Sequence, residues 1–469
     1  MYRRSKEVSN QEKVFFYIDE NWNRFIDDLK EFVAIPSIST LPNYKGDVLR
    51  TAQWLERYFQ RLNFNRVEII ETGGHPFVFA EYKGPNPLLT LLIYGHYDVQ
   101  PVDPENEWDT KPFQPTIKGD CMYGRGVSDM KAQLLAQMFA TQAWLENNSL
   151  PIHLKYIIEG EEEIGSPSMQ SFLKKYKELL KSDVAINCDA GVFSPDIPSV
   201  TYGLRGLTYF ELELKGPKQD LHSGLYGGTI RNPIHVLCEL IAKMHDEKGK
   251  VTLPYFYDKV KPLTDEERSL LSQIPHSDEE WKKTVGMSTL YGEAGYSTIE
   301  RVGARPTLEI NGIIGGFTGE GAKTVLPSKA RAKISMRLVP DQEPEKMEEY
   351  LREFLQQHCP SEMEWNLSLH SCSPPALMNL KSPYMQSAIT ALTEEFGRAP
   401  LFRREGGSVP VVAWLQQILG LDSIMLGFAL PDDGIHGPNE HQNLPLLKKG
   451  IRVHCRFYEE LLKGKSYEK

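Results

Sequence analysis

Continuous apolar runs alternate with helix-like stretches through the first two hundred residues. Phe77 to Ala80, Leu88 to Tyr94, Ile152 to Ile158 and Val184 to Cys188 read as short strands buried on both faces. Helices are predicted at about 10–34, 47–62, 129–147 and 167–181, the third with Met130, Leu134, Leu135, Met138 and Phe139 on one face. Strands that alternate with helices imply a largely parallel sheet covered on both sides. Near Gly203 the period becomes two. Phe210, Leu212 and Leu214 alternate with Glu211, Glu213 and Lys215, and Ala332, Ile334, Met336 and Leu338 with Arg331, Lys333, Ser335 and Arg337, as in a half-exposed antiparallel sheet. Helical stretches at about 230–246 and 343–357, with a further alternating strand at Trp365, Leu367 and Leu369, give this part an α+β order like a split βαβ sandwich. The stretch from about 250 to 300 reads as an irregular, partly helical insertion. After Pro374-Pro375 the α/β texture returns, with a helix near 382–396, a strand at Ser423 to Phe428 and a helix at about 445–462. The simplest organisation is an α/β domain made of 1–205 and 375–469, interrupted by an inserted α+β domain, 206–374.

Composition limits what such a chain does. With 469 residues, 41% of them hydrophobic and 25% charged, it is long enough for two cores. A net charge of -10 leaves no basic stripe for a phosphate backbone, so nucleic acid is not an expected partner. The densest apolar run, Leu88 to Tyr94, is too short to span a bilayer, and no apolar segment follows Arg3-Arg4, so neither secretion nor membrane insertion is expected. Six widely spaced cysteines without a CxxC pair suit a reducing compartment, and the expected location is the cytoplasm.

Acids and histidines gather where the α/β strands end, and in open parallel sheets ligands bind beyond the carboxyl ends of the strands. The 88–94 run leads into Gly95-His96-Tyr97-Asp98-Val99-Gln100-Pro101. Asp98 is placed to accept a hydrogen bond from the second imidazole nitrogen of His96, fixing the tautomer that binds a metal. The loop Tyr123 to Lys131 delivers Asp129 at a helix start, where an aspartate can equally be a helix cap. The 152–158 run leads into Glu159-Gly160-Glu161-Glu162-Glu163-Ile164-Gly165-Ser166. An acidic run is ordinarily a solvated face. This one follows a buried-type strand, where crowded carboxylates call for cations. Asp189 closes the 184–188 run, and His436 lies in the turn-rich loop Pro431 to Glu440. Two histidines with three or four carboxylates make a mixed nitrogen and oxygen donor set suited to zinc or manganese.

Singly, each of these residues is weak evidence. Together, GHYDVQP, YGRGVSDMK, EGEEEIGS, NCDAG and HGPNE occur in the order and spacing of the M20 family of metallopeptidases, and the resemblance runs through nearly the whole chain. LHSGLYGG, GAKTVLPSKA, MRLVP and REGGSVP resemble most the branch of cytosolic nonspecific and carnosine dipeptidases. The resemblance implies a mostly parallel catalytic domain with an inserted lid and dimerisation domain, and two divalent metal ions, zinc or manganese, per subunit. His96 and Asp189 would hold one ion, Glu163 and His436 the other, and Asp129 would bridge them, with a cis peptide between Asp129 and Met130. Glu162 matches the general base; local chemistry does not rank Glu161, Glu162 and Glu163, and only the register of the resemblance selects the middle one.

The same resemblance implies that His222 stabilises the oxyanion in the active site of a neighbouring subunit of a homodimer. Arg337, Thr324, Gly407 and Ser408 match a clamp for the substrate carboxylate, for which arginine is the natural bidentate partner. Against this, Arg337 sits on the polar face of an alternating strand, where a solvated arginine is the ordinary outcome. The other nine histidines read as structural or surface residues, and Ile164 and Ala190, which depart from the family's pattern, are neighbours of ligands. The expected activity is hydrolysis of the amide bond of dipeptides or small peptides with a free amino terminus. A deacylase of N-acylated amino acids is the alternative, and a non-catalytic binding protein of the same fold a third. Asp189 discriminates: relatives that need a free amine resemble this chain in having Asp there, whereas carboxypeptidase and deacylase relatives generally have Glu.

Overall fold

Burial along the strands separates two architectures. Val184–Asn187 is buried at every position and Thr90–His96 at all but the first, whereas Gly206–Lys215 alternates strictly between buried and half-buried. The computed structural model describes residues 9–147 and 150–465; the Arg3-Arg4 start of the chain, on which the expectation about secretion partly rests, lies outside the described residues. One compact unit comprises the described residues up to Tyr202, Met378–Phe402 and those from Trp414 onward; the other comprises Gly203–Leu377 and Arg403–Ala413. Arg403–Ala413 lies within the 375–469 stretch expected in the α/β domain. It goes with the second unit because Arg404 pairs with Glu267 and Ser408 bonds to Arg205 and Arg337.

The first unit is built on a six-stranded sheet in the order Arg66–Ile70, Phe77–Lys83, His153–Glu159, Thr90–His96, Val184–Asn187 and Ser423–Met425. The last four run parallel, and the first two extend the sheet antiparallel at one edge. The predicted first helix is two, Asn10–Glu20 and Trp22–Val33, because Asn21 leaves helical geometry (φ -100°, ψ 12°) and its side chain donates to the Tyr17 carbonyl at 2.9 Å. The helix expected at 167–181 is confined to Met169–Lys175.

Helix Ala132–Asn147 is buried from Ala132 to Trp144, on every side and not on one face. Its polar positions are satisfied inside the core: Gln137 Nε2 donates to Tyr458 Oη at 2.6 Å, Thr141 Oγ1 lies 2.7 Å from Tyr156 Oη, and Gln133 Nε2 reaches the Ser128 carbonyl at 2.8 Å. The long helix Leu444–Lys465 packs along it, and the Trp144 indole donates to the Cys455 carbonyl.

In the second unit four antiparallel strands lie in the order Thr307–Gly315, Lys329–Leu338, Gly206–Lys215, Glu364–Ser373. In chain order this is 2-3-1-4, the arrangement of a split βαβ sandwich. Helices Pro233–Ala242 and Pro344–His358 share one core with the inward side chains Phe210, Leu212, Ile334 and Met336. Strand Thr307–Gly315 has no clear sequence signal, since Ile313 and Ile314 are both exposed and a bulge interrupts its register between Ile310 and Gly312. The 250–300 stretch holds Asp265–Leu271, Asp278–Val285 and the start of Thr298–Ala304, each capped by the Ser or Thr before it. No helix among the described residues is long and apolar enough to cross a membrane, and all six cysteines are free thiols.

Candidate metal centre

The four parallel strands of the first unit bring their C-terminal ends to one edge of the sheet. His96 ends one of them and is fully buried. Its Nε2 lies 3.0 Å from Asp129 Oδ1. Asp129 sits in the kinked turn Val127–Lys131 that precedes helix Ala132–Asn147, and its peptide bond to Met130 is cis. It does not act as a cap: its second oxygen, Oδ2, lies 3.0 Å from His436 Nε2, which also lies 3.2 Å from Glu163 Oε2. One ligand atom each from His96, Asp129 and Asp189 falls within a 4.8 Å span, as does one each from Asp129, Glu163 and His436. Asp129 is common to both groups. Asp189 follows strand Val184–Asn187, and its amide is held by Asn187 Oδ1 at 2.7 Å.

Side-chain direction sorts the acidic run. Glu161 turns away from the centre, its carboxylate accepting the amides of His75 (2.8 Å) and Ser168 (3.1 Å). Glu163 faces His436 and accepts from Gln100 Nε2 at 2.8 Å. Glu159 accepts from Tyr94 Oη at 2.7 Å and Ser166 Oγ at 2.9 Å; burial pushes its carboxyl up to about 8. Glu162 remains, with no hydrogen-bond partner on its carboxylate among the described residues. Gly160 makes the sharp exit from the strand possible, because a Cβ there would lie 2.5 Å from Tyr97 Oη.

Asp98 divides its work differently from expectation. The nearer partner of His96 Nδ1 is the Asp98 backbone carbonyl, at 3.1 Å, while the carboxylate lies 3.5 Å away. That carboxylate accepts the amides of Glu162 (3.2 Å) and Glu163 (3.1 Å), so Asp98 orients the acidic turn as well as the imidazole.

The electrostatics call for positive charge. Burial pushes the Glu162 carboxyl far above the ordinary range, with Asp189 and Glu163 adding to the effect of burial against the pull of His96, and burial likewise raises Glu163. Hydrogen bonds to Asp129 and Glu163 raise His436 to about 10. Burial opposes ionisation of Asp129, but the His436 and His96 hydrogen bonds outweigh it and hold the group low. Carboxylates this close raise one another unless cations intervene. Imidazole nitrogen with carboxylate oxygen is the donor chemistry of zinc and manganese sites, so the residues present fit divalent cations.

A supporting layer was not anticipated from sequence. Glu440, fully buried, accepts Arg125 Nη1 at 2.7 Å and the amides of Gly126 (2.8 Å), Ser128 (3.0 Å) and Asp129 (3.1 Å). Asp433 accepts the Ser128 hydroxyl at 2.6 Å. The signal was a polar or charged residue of no assigned role inside each motif: Gln100 in GHYDVQP, Arg125 in YGRGVSDMK, Glu440 in HGPNE.

The other candidate residues lie in the second unit in two groups. His222 pairs across a short ladder with Val325, next to Thr324, whose carbonyl accepts the Ser223 amide at 3.1 Å. His222 is exposed and its Nδ1 accepts the Gly224 amide at 3.0 Å. Arg337 Nη1 donates to Ser408 Oγ at 2.9 Å, and Gly407 stands in open space beside that serine.

The sequence model described as Peptidase family M20/M25/M40 matches residues 92–460. The chain is 32% identical over 473 residues to the Cys-Gly metallodipeptidase dug1 of Schizosaccharomyces pombe, covering 96% of this chain and 98% of the relative. It is 31% identical over 474 residues to the Beta-Ala-His dipeptidase of Homo sapiens, covering 96% and 92%. Among solved structures it resembles the M20 family metallo-carboxypeptidase Sso-CP2 from Sulfolobus solfataricus, with a TM-score of 0.83 and 34% identity over 93% of this chain and 98% of that one. The chain belongs to peptidase family M20/M25/M40 and is a metallopeptidase that works with divalent metal ions.

Proposed function

We propose that this protein hydrolyses the amide bond of dipeptides and small peptides with a free amino terminus, using two divalent ions, zinc or manganese. The observation that carries the reading is Asp129, whose two carboxylate oxygens each face a different histidine at 3.0 Å. His96 and Asp189 would hold one ion, Glu163 and His436 the other, and Asp129 would serve both. Ions bound there supply the positive charge that acidifies a water molecule and polarises the scissile carbonyl. Glu162, the one carboxylate of the acidic turn not engaged elsewhere, accepts the proton and delivers it to the leaving amine. Asp98 keeps the His96 ring and the acidic turn in register. Arg337, with Ser408 and Gly407, receives the substrate's terminal carboxylate, and Thr324, which stands with His222 in the other group, reaches it only together with that histidine.

The names of the dipeptidase relatives and the Asp at position 189 favour dipeptides with a free amine. The likeness to a metallo-carboxypeptidase supports a second reading, cleavage without regard to the amino terminus. Free dipeptides and their N-acetyl forms, assayed after chelation and after return of zinc or manganese, separate the two. Activity is expected to vanish with the chelator and return with about two ions per chain, and N-acetylation is expected to lower kcat/KM by about 100-fold or more, the cost of leaving buried polar partners unpaired. Full activity in stripped protein would reject the metal mechanism, and equal rates on the two substrates would reject the free-amine requirement. The reading takes the protein to act in the cytoplasm, as the wide spacing of its cysteines suggests.

The working form is a homodimer made through the inserted domain. Its edge strand Thr307–Gly315 pairs on one side only and exposes Ile313 and Ile314, while Leu225 and Tyr226 are exposed beside His222. Because His222 Nδ1 accepts the Gly224 amide, its proton sits on Nε2, the donor that an oxyanion in the partner's site requires. His222→Ala and Glu162→Gln proteins, each inactive, are expected to regain activity when unfolded and refolded together, since the mixed dimer holds one complete site. Mixed dimers without activity would mean that His222 does not act in trans.

A further inference from the structure

The second unit contains a chain of hydrogen bonds around Arg337 that the carboxylate clamp alone does not use. It begins at Arg205, the single residue between strands Ser199–Leu204 and Gly206–Lys215. Arg205 Nε donates to the Gly406 carbonyl at 3.1 Å, and the Arg205 carbonyl accepts from Ser408 Oγ at 2.5 Å. The same serine hydroxyl accepts from Arg337 Nη1 at 2.9 Å. The guanidinium lies where a side chain at 406 would have to go: a Cβ there would sit 2.8 Å from Arg205 Nη2, so a larger residue would displace that guanidinium. One arginine thus grips both ends of the Gly406–Ser408 segment, and the hydroxyl at the end of that segment aims the second arginine.

The pair is electrostatically unusual. Arg205 and Arg337 line one cavity of about 420 Å³ with Tyr291, Glu309 and Asn311. Among the described residues no carboxylate forms a salt bridge with either. Burial and the Arg337 charge hold Arg205 down to about 10, against the weaker opposing pull of Glu309. Two partly buried guanidiniums that repel each other are costly unless an anion is drawn between or beside them.

We propose that Arg205 is a positioning residue for the substrate's C-terminal carboxylate: through the Gly406 carbonyl and the Ser408 hydroxyl it sets the direction in which Arg337 presents its guanidinium, and its charge adds to the field the carboxylate meets. This rests on the assignment of Arg337 to that carboxylate, and the test separates the two. The metal-loaded enzyme is assayed with one dipeptide as the free acid and as the C-terminal amide, and the ratio of the two KM values is the readout. In the wild type the amide's KM is expected to be at least about ten-fold higher, the scale of a charge-assisted hydrogen bond. Arg337→Ala should bring the ratio close to one. Arg205→Ala should raise the KM of the acid about five- to ten-fold, leave the amide's KM and both kcat values within about two-fold, and add little to Arg337→Ala in the double variant. Arg205→Lys, which keeps charge and a donor, should fall between. If Arg205→Ala does not fold, Arg205→Lys and Arg205→Gln, which lose the Nε donor to Gly406 but keep the backbone bond to Ser408, should lower the ratio, and Ser408→Ala, which removes the hydroxyl that aims Arg337, should lower it further. A ratio unchanged by the Arg205 and Ser408 variants while Arg337→Ala still abolishes it would overturn the role of Arg205 alone. Equal rises for acid and amide would reduce Arg205 to a structural residue. A wild type indifferent to amidation would overturn the Arg337 assignment and this inference with it.

Discussion

Glu162→Gln is expected to lower kcat by about 10²–10⁴-fold, the usual contribution of a positioned general base, while the protein keeps its metal and its fold. The substitution removes a proton acceptor and no coordination bond, since the Glu162 carboxylate takes no part in the two clusters built on Asp129. Its neighbour behaves differently. Glu163 faces His436 Nε2 at 3.2 Å, so Glu163→Gln removes a ligand and should release metal at concentrations where the wild type is saturated. Metal content by elemental analysis, read beside kcat for both variants, checks the pair. Reversed phenotypes would mean that the base and the ligand are exchanged, and metal loss in both would deny Glu162 a separate catalytic role.

Glu440→Gln should be the most destabilising conservative change in the first unit, at about 3–5 kcal/mol, because it leaves the buried Arg125 charge without its partner. Both carboxylate oxygens already accept two donors: Oε2 from Arg125 Nη1 and the Gly126 amide, Oε1 from the amides of Ser128 and Asp129. A glutamine must therefore turn its NH₂ group towards donors whichever way the amide is flipped. Metal affinity should fall about 10- to 100-fold as well, since those amides hold the loop that aims Asp129. The double variant Arg125→Met with Glu440→Gln distinguishes the two effects: removing the stranded charge should restore much of the melting temperature but not the metal affinity. Wild-type affinity in Glu440→Gln would show that Asp129 is aimed without the clamp.

These residues also show what a sequence conceals. His96, Glu163 and Asp189 could be anticipated to approach one another because each closes or follows a continuous apolar run, and parallel strands end at one edge. Direction within the acidic turn could not be read, because Glu161, Glu162 and Glu163 differ only in which way a tight turn points them; the amides of His75 and Ser168 decide the matter for Glu161. The pattern in helix Ala132–Asn147 misled in a different way. Gln133, Gln137, Thr141 and Gln142 mark a polar face by composition, yet all are buried, since partners such as Tyr458 and the Phe428 amide meet their hydrogen-bonding needs from distant segments. Arg403–Ala413 could not be assigned from texture either, because what ties it to the second unit is a pair of arginine contacts without periodicity. Strand Thr307–Gly315 was hidden for the opposite reason: exposed isoleucines and a bulge erase its alternation.

The clamp on the Asp129 loop has a consequence in time. Glu440 follows Arg125 by 315 positions, and His436 arrives with it. At about 5–20 residues per second, a ribosome needs roughly 15–60 s to travel from one to the other. From the synthesis of Asp189 to the end of that interval, the emerging polypeptide carries His96, Asp129, Glu162, Glu163 and Asp189 without the second histidine or the carboxylate that steadies their loop. A peptidase assembled in this order has no complete centre until His436 and Glu440 have been made and have reached the Asp129 loop.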